Sequence, residues 1–409
     1  MSKTSNNISI KIDNSMSYDI HTLEYYAVDM GGNRSVIHAT TFTVRSIPVG
    51  QVAAWQGVNF TDRILGARQT GRQPYPNQPP SVRDNLLDII KPPLSRINMI
   101  RARMYWEAYR YFKQKGLEDI YINRIKEFAT EADKLGIGIV YDVGHQYHIS
   151  SYFYDGVGFP WEVTSYLVNV RQRWNTDLAV RFWDDFLNNA ITDTYTNKKI
   201  WQSFWDDYFS LIVSLTKDHE STLGWCILNE PVFSGRDTLP EDVYDKLGAF
   251  HTFIAQKIVD ATSNSKKKSI IFQRIYDGRT QWEFDKKYHL LKNTVPNISE
   301  KDRLVFEAHF YRPGTIPSGT KQRWTEIINN LGLPIFIGEW NTDRDTELTL
   351  DYAIDYYKTF KQWGGGSAYF TYDPGYPWSI KDENYNDRIL SSGASVRDIL
   401  AAAIKQVFL

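Results

Sequence analysis

Short apolar runs alternate with longer amphipathic segments from about residue 50 to the end of the chain. Near-continuous apolar runs bounded by turns are typical of parallel strands that are buried on both faces. Eight runs fit this description: GVNF, INMIRAR, IGIVYDV, GWCILNE, SIIFQR, LVFEAHFY, PIFIGEW and GSAYFTY. The segments between them have the periodicity of helices that bury one face. The clearest are LEDIYINRIKEFATEADKLG, IWQSFWDDYFSLIVSLTKD, PEDVYDKLGAFHTFIAQKIVDAT, LTLDYAIDYYKTFKQWG and the C-terminal SVRDILAAAIKQVF.

These β–α units predict an α/β fold, and the natural closure of eight parallel strands is a (β/α)8 TIM barrel. We expect this barrel to occupy residues 47–409. A doubly wound open sheet is the alternative, but such a sheet usually carries a Gly-rich phosphate loop after its first strand, and GVNFTDRILGAR is not one. The longest insertion, from about His145 to Thr196, follows the third strand, which predicts that it lies over the C-terminal face of the barrel.

Residues 1–46 have a different pattern and are predicted to form a separate β segment. The stretch HTLEYYAVDMGGNRSVIHATTFTV contains two strand-like runs around a tight turn at Met30–Asn33. A lone hairpin is marginally stable in water, so this one must pack on something or end a larger β domain. It resembles the last two strands of the immunoglobulin-like modules of multidomain secreted proteins.

Charge and cysteine content exclude several classes of function. The formal net charge is −1, from 47 basic and 48 acidic residues, so no nucleic-acid partner or membrane-surface role is expected. No apolar run is long enough for a transmembrane helix. The single cysteine, Cys226, cannot form an intrachain disulfide and excludes a Cys-based zinc site. The start, MSKTSNNISI, lacks the apolar stretch of a signal peptide.

Aromatic residues make up 15% of the chain and are dense in two apparent loops, SSYFYDGVGFPW and DPGYPW. Flat amphipathic rings suit a ligand with apolar faces and polar edges, such as a sugar. Ordinary loop packing explains most of these rings one by one, so only their local density indicates a carbohydrate ligand.

Polar residues end five of the predicted strands, and barrel closure would bring those ends into one ring. They are Arg101 on the second strand, Asp142 and His145 on the third, Asn229 and Glu230 on the fourth, His309 and Tyr311 on the sixth, and Glu339, Trp340 and Asn341 on the seventh. Glu230 and Glu339 would face each other across the barrel mouth. Two carboxylates across a cleft are the minimum equipment for glycoside hydrolysis, because one must be protonated and the other ionised.

These motifs resemble the (β/α)8 glycoside hydrolases of clan A, most closely family 5, the cellulase family. The resemblance covers roughly residues 50–400 and rests on NEP, GEW, IRARMYW, DVGH and the His-x-Tyr of the sixth strand. It implies that Glu230 is the general acid/base and Glu339 the nucleophile. It implies substrate-binding roles for the matching residues of the other motifs, which are Arg101, Trp106, His145, Asn229, His309 and Tyr311.

One position departs from the family pattern. The family usually ends its eighth strand with a tryptophan that stacks on the sugar at the cleavage point, whereas Phe370 stands at that position here. Trp378, in the following DPGYPW, is the alternative stacking residue. Both are predicted to bind substrate. Because the size of the stacking ring changes, the departure leaves the preferred sugar open.

Several neighbouring residues have two interpretations. Glu307 shares the face of His309 by alternation, so it is either a site residue or half of an outward salt bridge. Arg103 shares the face of Arg101, so one of the two must lie deeper in the barrel. His145 and His148 could together bind a catalytic metal, but HQYH has no clear partner ligands on the first strand. No metal and no cofactor is predicted.

The sequence thus predicts a retaining, endo-acting glycoside hydrolase that cleaves β-1,4-glucan. An endo-β-1,4-mannanase, another β-glucanase of the same family and a non-catalytic carbohydrate-binding barrel are the alternatives. We expect a monomer whose partner is a polysaccharide. Because polysaccharides do not enter cells, an extracellular location is expected from the function.

Overall fold

A closed barrel of eight parallel strands forms the centre of the molecule. The computed structural model describes residues 20–25, 38–43, 50–66, 77–144, 159–165, 176–231, 242–274, 288–342, 346–374 and 379–408. The barrel strands are β1 Gln56–Phe60, β2 Met99–Arg103, β3 Gly138–Asp142, β4 Thr222–Cys226, β5 Ser269–Gln273, β6 Leu304–Tyr311, β7 Ile335–Asn341 and β8 Gly366–Tyr369. All eight predicted strands and the predicted TIM-barrel closure are confirmed.

Helices cover the outside of the barrel between the strands. They are α1 Val82–Ile90, α2 Trp106–Gln114, α3 Glu118–Leu135, α4 Trp161–Thr164, α5 Thr176–Leu187, α6 Ile200–Ser203, α7 Ser210–Thr216, α8 Asp242–Ala261, α9 Ser318–Leu331, α10 Leu350–Gln362 and α11 Val396–Phe408. The segment IWQSFWDDYFSLIVSLTKD is helical, as predicted. A π-helical turn at Phe204–Phe209 divides it into α6 and α7.

Helix ends follow local chemistry. The hydroxyl of Ser81 accepts a hydrogen bond from the amide of Asp84 and begins α1, and Thr349 does the same for α10. Gly136 and Gly332 end α3 and α9 in the left-handed conformation, at φ of 63° and 62°, where a glycine carries no Cβ penalty.

The barrel interior is layered. Its lower layer is a small apolar cluster drawn from successive strands, which includes Met99, Val140, Ile271, Val305, Phe336 and Ala368. Side chains two residues further along each strand point inward again, because strand side chains alternate. That second layer is polar and charged, and it supports the strand ends where catalytic residues of such barrels lie.

The described part of the long insertion packs against outer helices. Phe159 contacts Trp106 of α2, with ring centroids 6.3 Å apart, and Phe186 contacts Phe250 of α8, at 4.9 Å. The described part of the insertion therefore packs against the helical layer. The position of the insertion over the C-terminal face stays a prediction. The stretches 145–158 and 166–175 lie outside the described residues.

Charged residues join the C-terminal segment to α1. Asp88 of α1 lies 2.8 Å from Nζ of Lys381 and 3.2 Å from Nη2 of Arg397. Asp387 accepts from the same two cations, at 2.9 Å and 3.0 Å. Lys381 and Arg397 are almost fully buried. This four-residue group, the C-terminal clamp, fastens the end of the chain beside its first barrel helix.

The two N-terminal strands exist as predicted. Ile20–Tyr25 pairs antiparallel with His38–Thr43. The predicted turn at Met30–Asn33 lies outside the described residues. The resemblance of this N-terminal segment to an immunoglobulin-like module stays a prediction, as does the domain boundary at residue 46.

Candidate active site

Two buried glutamates meet at the C-terminal end of the barrel. Glu230 follows β4 and Glu339 lies within β7, and they are 7% and 4% exposed. One carboxylate oxygen of each and one ring nitrogen of His309 all lie within 4.8 Å of one another. The structure thus brings together two carboxylates that are 109 residues apart in the sequence.

Arg101 holds the carboxylate of Glu339. Its Nη1 donates to Oε1 of Glu339 at 2.9 Å and to Oδ1 of Asn59 at 3.0 Å, and its Nη2 donates to Oδ1 of Asn229 at 2.7 Å. The hydroxyl of Tyr311 donates to the other oxygen of Glu339. These donors, one on each carboxylate oxygen, fix the orientation of the Glu339 side chain.

His309 lies between the two glutamates. Its Nδ1 is 2.7 Å from Oε1 of Glu230 and 3.6 Å from Oε2 of Glu339. Its Nε2 is 3.2 Å from Oε1 of Glu307. Burial alone would lower the pKa of His309, but these three carboxylates outweigh it and raise the pKa to about 10. The raised pKa favours the imidazolium form of the ring.

The backbone of Glu230 is in a conformation that few residues other than glycine adopt. Its φ is +40°, in the left-handed region. Its amide donates to Oε1 of Gln273 at 2.9 Å. Such conformations persist only where the surroundings impose them, and they concentrate at functional sites. The turn aims the carboxylate of Glu230 at His309 and Glu339.

Gln273 and Asn59 belong to the site but were not predicted as site residues. Gln273 ends β5 and Asn59 lies in β1, and both are fully buried. Nδ2 of Asn59 donates to the carbonyl of Gly338 at 2.8 Å, which fixes its Oδ1 toward Arg101. In the sequence, each of them is marked only as a polar residue within an apolar run, Asn59 in GVNF and Gln273 in SIIFQR.

Asp142, Glu307 and the neutral thiol of Cys226 form a polar layer beneath the glutamates. Arg101 reaches down to it, with Nη1 3.1 Å from Oδ2 of Asp142 and Nε 2.8 Å from Oε1 of Glu307. Burial raises the pKa of Asp142 to about 7, although Arg101 opposes this. Burial also acts on Glu307, but Arg101 and His309 outweigh it and lower its pKa to about 2. Of its two sequence interpretations, Glu307 follows the inward one.

Arg103 and Phe370 lie one step further toward the barrel mouth than Arg101. Nη2 of Arg103 donates to Oδ2 of Asp373 at 2.8 Å, and the guanidinium lies over the ring of Phe370, 4.9 Å from its centroid. Phe370 also packs edge-to-face on Tyr311, with centroids 5.7 Å apart. Arg101 is therefore the deeper arginine, and Phe370 stands beside the tyrosine that holds Glu339.

Trp106 is not among the residues that surround the glutamates. It is 1% exposed, its Nε1 donates to Asp207 at 2.8 Å, and its ring stacks with Tyr208. Trp340 likewise faces the helices and stacks on Tyr356. His145, His148 and Trp378 lie outside the described residues, and their predicted roles stay predictions.

Glu230, His309 and Glu339 are close enough for one ion. However, both ring nitrogens of His309 face carboxylates within 3.2 Å, which is the arrangement of an imidazolium and not of a metal ligand. Within the described part of the chain, the cluster therefore has the character of an acid–base site.

A sequence model of the cellulase family, glycosyl hydrolase family 5, matches residues 94–375. This match covers well over half of the chain and includes both glutamates. The chain belongs to glycoside hydrolase family 5. Among curated proteins, no sequence matched it significantly.

Solved structures similar to this family 5 hydrolase share its fold. Endo-glycoceramidase II from Rhodococcus sp., in complex with ganglioside GM3, is 16% identical with a TM-score of 0.60, over 93% of this chain and 81% of that one. An endogalactoceramidase is 17% identical with a TM-score of 0.59, over 85% and 80%. A family 5 enzyme from Prevotella bryantii B14, in complex with a xyloglucan tetradecasaccharide, is 16% identical with a TM-score of 0.55, over 90% and 100%.

The hydrolase has no described helix that is long and apolar enough to cross a membrane.

Proposed function

We propose that this family 5 hydrolase is a retaining, endo-acting β-1,4-glucanase. The observation that carries the retaining mechanism is the separation of the two carboxylates. Oxygens of Glu230 and Glu339 lie within 4.8 Å of each other. Retaining glycosidases hold their carboxyl groups about 5–5.5 Å apart, whereas inverting enzymes need about 6.5–9.5 Å to admit a water.

Two displacements complete the reaction. Glu339 attacks the anomeric carbon while Glu230 gives its proton to the glycosidic oxygen, so the C–O bond breaks and a glycosyl ester forms on Glu339. Glu230, now ionised, then takes a proton from water. As it loses that proton, the water oxygen bonds to the anomeric carbon and the ester bond to Glu339 breaks, so Glu339 is a carboxylate and Glu230 is protonated again, with net retention of configuration.

Three neighbours support these steps. Arg101 and Tyr311 bind the carboxylate of Glu339 and orient it for attack. Arg101 also donates to Oδ1 of Asn229, so the group of that amide that we propose for the substrate is its donor, Nδ2. It can donate to the sugar 2-hydroxyl, a contact that strengthens in the transition state.

The β-1,4-glucan substrate is supported by the cellulase family match and by a neighbour solved with xyloglucan. The neighbours that act on glycosphingolipids make a ganglioside the second candidate substrate. β-Mannan remains the nearest alternative, since it differs from glucan at the C2 hydroxyl. An extracellular location follows from a polysaccharide substrate, and both this location and a monomeric state are part of the proposal.

The test is a substrate panel of soluble β-1,4-glucan, xyloglucan, β-mannan and ganglioside, assayed for released reducing ends. Glucan is expected to be cleaved fastest, with the β-anomer formed first by NMR. Initial formation of the α-anomer would exclude double displacement, and no release from any substrate would leave only the non-catalytic carbohydrate-binding barrel.

Substitution of the two glutamates tests their roles. Glu339→Gln is expected to lose both steps, a fall of about 10⁴-fold or more in kcat. Glu230→Gln should lose more activity on glycosides with poor leaving groups than on activated aryl glycosides, because only poor leaving groups need a proton. Equal losses on both would contradict the acid/base role of Glu230.

A further inference from the structure

Glu307 is a fully buried carboxylate that the double displacement does not use. It lies on the inner face of β6, two residues before His309. Its Oε1 meets Nε of Arg101 at 2.8 Å and Nε2 of His309 at 3.2 Å, and Sγ of Cys226 donates to its Oε2 at 2.9 Å. Since its side chain has no exposure, a sugar cannot touch it. Any effect it has on the reaction must pass through its neighbours.

The adjacent strand is shaped around this carboxylate. A Cβ at Gly338 would overlap the side chain of Glu307, so only glycine fits directly before Glu339 on β7. Barrel interiors are ordinarily filled by branched apolar side chains. Replacing a buried ion pair by apolar residues is often neutral or stabilising. Stability alone therefore does not explain why the chain keeps a charge and a matching glycine here.

The reaction moves negative charge between the two residues that flank His309. In the first step Glu339 loses its charge by forming an ester, and Glu230 gains one by giving up its proton. Nδ1 of His309 lies 2.7 Å from Glu230 and 3.6 Å from Glu339. A cation fixed at this point is beside the negative charge before and after the step. To stay in this position, the ring of His309 must be held at its other nitrogen, Nε2.

We propose that Glu307 is a positioning residue of the hydrolytic site, which holds the ring of His309 between the two glutamates and the guanidinium of Arg101 against Glu339. Oε1 binds both cations at once, on the side opposite to the substrate. The inference rests on the proposed double displacement, because that reaction supplies the moving charge.

The groups around Glu307 come from every strand packed near it. They are Arg101 on β2, Asp142 on β3, Cys226 on β4, Gln273 on β5, His309 on β6 and Glu339 on β7. Two of them are cations, and both contact Glu307. Near neutral pH this arrangement leaves Glu307 ionised and His309 charged, in agreement with the directions of their pKa values.

Three variants separate positioning from a structural role. Glu307→Gln keeps the shape and removes the charge. Glu307→Asp keeps the charge but shortens the reach, so one oxygen can no longer hold both cations. Asp193→Asn is the matched control, because Asp193 is equally buried and likewise pairs with a buried arginine, Arg110 of α2, at 2.8 Å.

The first measurement is the protonation of His309, followed by NMR of the histidine ring nitrogens and assigned by comparison with His309→Asn. The native ring is expected to carry both protons at neutral pH and to lose one only in the alkaline range. In Glu307→Gln the loss should shift to lower pH, with Glu307→Asp in between and Asp193→Asn unchanged. This measurement needs no substrate, so it stands even if the proposed function fails.

The second measurement is kinetic, on the substrate that the native enzyme cleaves. Glu307→Gln should lower kcat by about 10–100-fold with little change in KM, because positioning acts on the transition state. Glu307→Asp should recover part of the loss. Asp193→Asn should keep the native kcat.

An unchanged proton loss of His309 in Glu307→Gln would overturn the proposal, even if activity fell. A fall in kcat no larger than that of Asp193→Asn would overturn it too. If Glu307→Gln does not fold, Glu307→Asp decides alone: a native pH for proton loss together with native kcat would overturn the proposal.

Discussion

At the scale of single residues, Glu339, the proposed nucleophile, is held by more than one partner. Glu339 accepts from Arg101 and Tyr311, and Arg101 in turn contacts residues from most strands of the barrel. Preorganised donors of this kind stabilise charge without reorganising during the reaction. The orientation of the nucleophile is therefore built into the resting protein.

Tyr311→Phe removes one of the two donors to Glu339 and leaves the ring in place against Phe370. Hydrogen bonds to charged groups contribute about 1.5–3 kcal/mol. Each 1.4 kcal/mol is about tenfold in rate, so kcat/KM should fall by about 10–150-fold. Steady-state kinetics measures this, with the thermal midpoint as a control for folding. A variant with native kcat/KM would show that Arg101 alone orients the nucleophile.

At the scale of elements, the strand ends were predictable from the sequence, whereas the packing of the insertion against the outer helices was not. Apolar runs mark the strands, and polar residues at their ends mark the site, so Glu230, Glu339, Arg101, His309 and Tyr311 could be placed in one ring from the sequence. The sequence could not show whether Glu307 and Gln273 face the barrel interior, face outward or belong to a turn. A single polar residue in an apolar run does not reveal which face of the strand it occupies. Trp106 matches a family motif, but its side chain packs against the outer helices. A residue at the start of α2 can face either the barrel mouth or the helical layer, and the motif does not distinguish the two.

Arg110 joins the described part of the insertion to the helical layer. It is fully buried on α2, 2.8 Å from Asp193 and 2.6 Å from Asp207. Removing one partner of a buried ion pair costs about 3–5 kcal/mol, because the remaining charges are uncompensated. Arg110→Ala should therefore destabilise the protein by that amount in denaturant unfolding, with KM unchanged in the folded fraction.

The exposed pair of Arg83 and Glu131, 2.9 Å apart, supplies the control. Surface pairs contribute about 0–1 kcal/mol, so Arg83→Ala should change stability far less than Arg110→Ala. Similar losses for both variants would contradict the anchoring role of Arg110.

At the scale of the whole molecule, the C-terminal clamp closes the ring of helices. Burial raises the pKa of Asp88, but hydrogen bonds from Lys381, Lys91 and Tyr372 outweigh it and hold the pKa below its ordinary value. The pKa of Asp387 is lowered in the same way, because Lys381 and Arg397 outweigh burial. The eight-strand barrel was predictable from the alternation of elements, whereas this clamp joins residues that are about 300 positions apart and leaves no pattern in the sequence.

A lowered carboxylate pKa gives stability that is present above the ordinary value, about 4, and is lost as the pH falls below it. The clamp should therefore weaken in acid. Unfolding free energies of the native protein and of Asp88→Asn should differ at pH 7 and converge as the pH falls below about 4. A difference that stays constant down to pH 2 would contradict this.

Asp373 is expected to change stability with pH in the opposite direction to Asp88, in the same unfolding experiment. Burial raises its pKa to about 6, although Arg103 opposes this. Its folded form holds a proton that the unfolded chain loses near pH 4, so the stability it contributes falls as the pH rises from about 4 to 6. Asp373→Asn should lack that fall.

The left-handed turn at Glu230 has a consequence for descent as well as for chemistry. A left-handed backbone costs residues other than glycine about 1–2 kcal/mol, so chemistry and backbone favour different amino acids at this position. A lineage that no longer needed to cut glycosidic bonds would gain from replacing this glutamate by glycine or asparagine. Drift would then replace Glu230, the proposed proton donor, sooner than the residues of the barrel around it, and a substitution at this position would be the first mark of descendants that no longer hydrolyse glycosides.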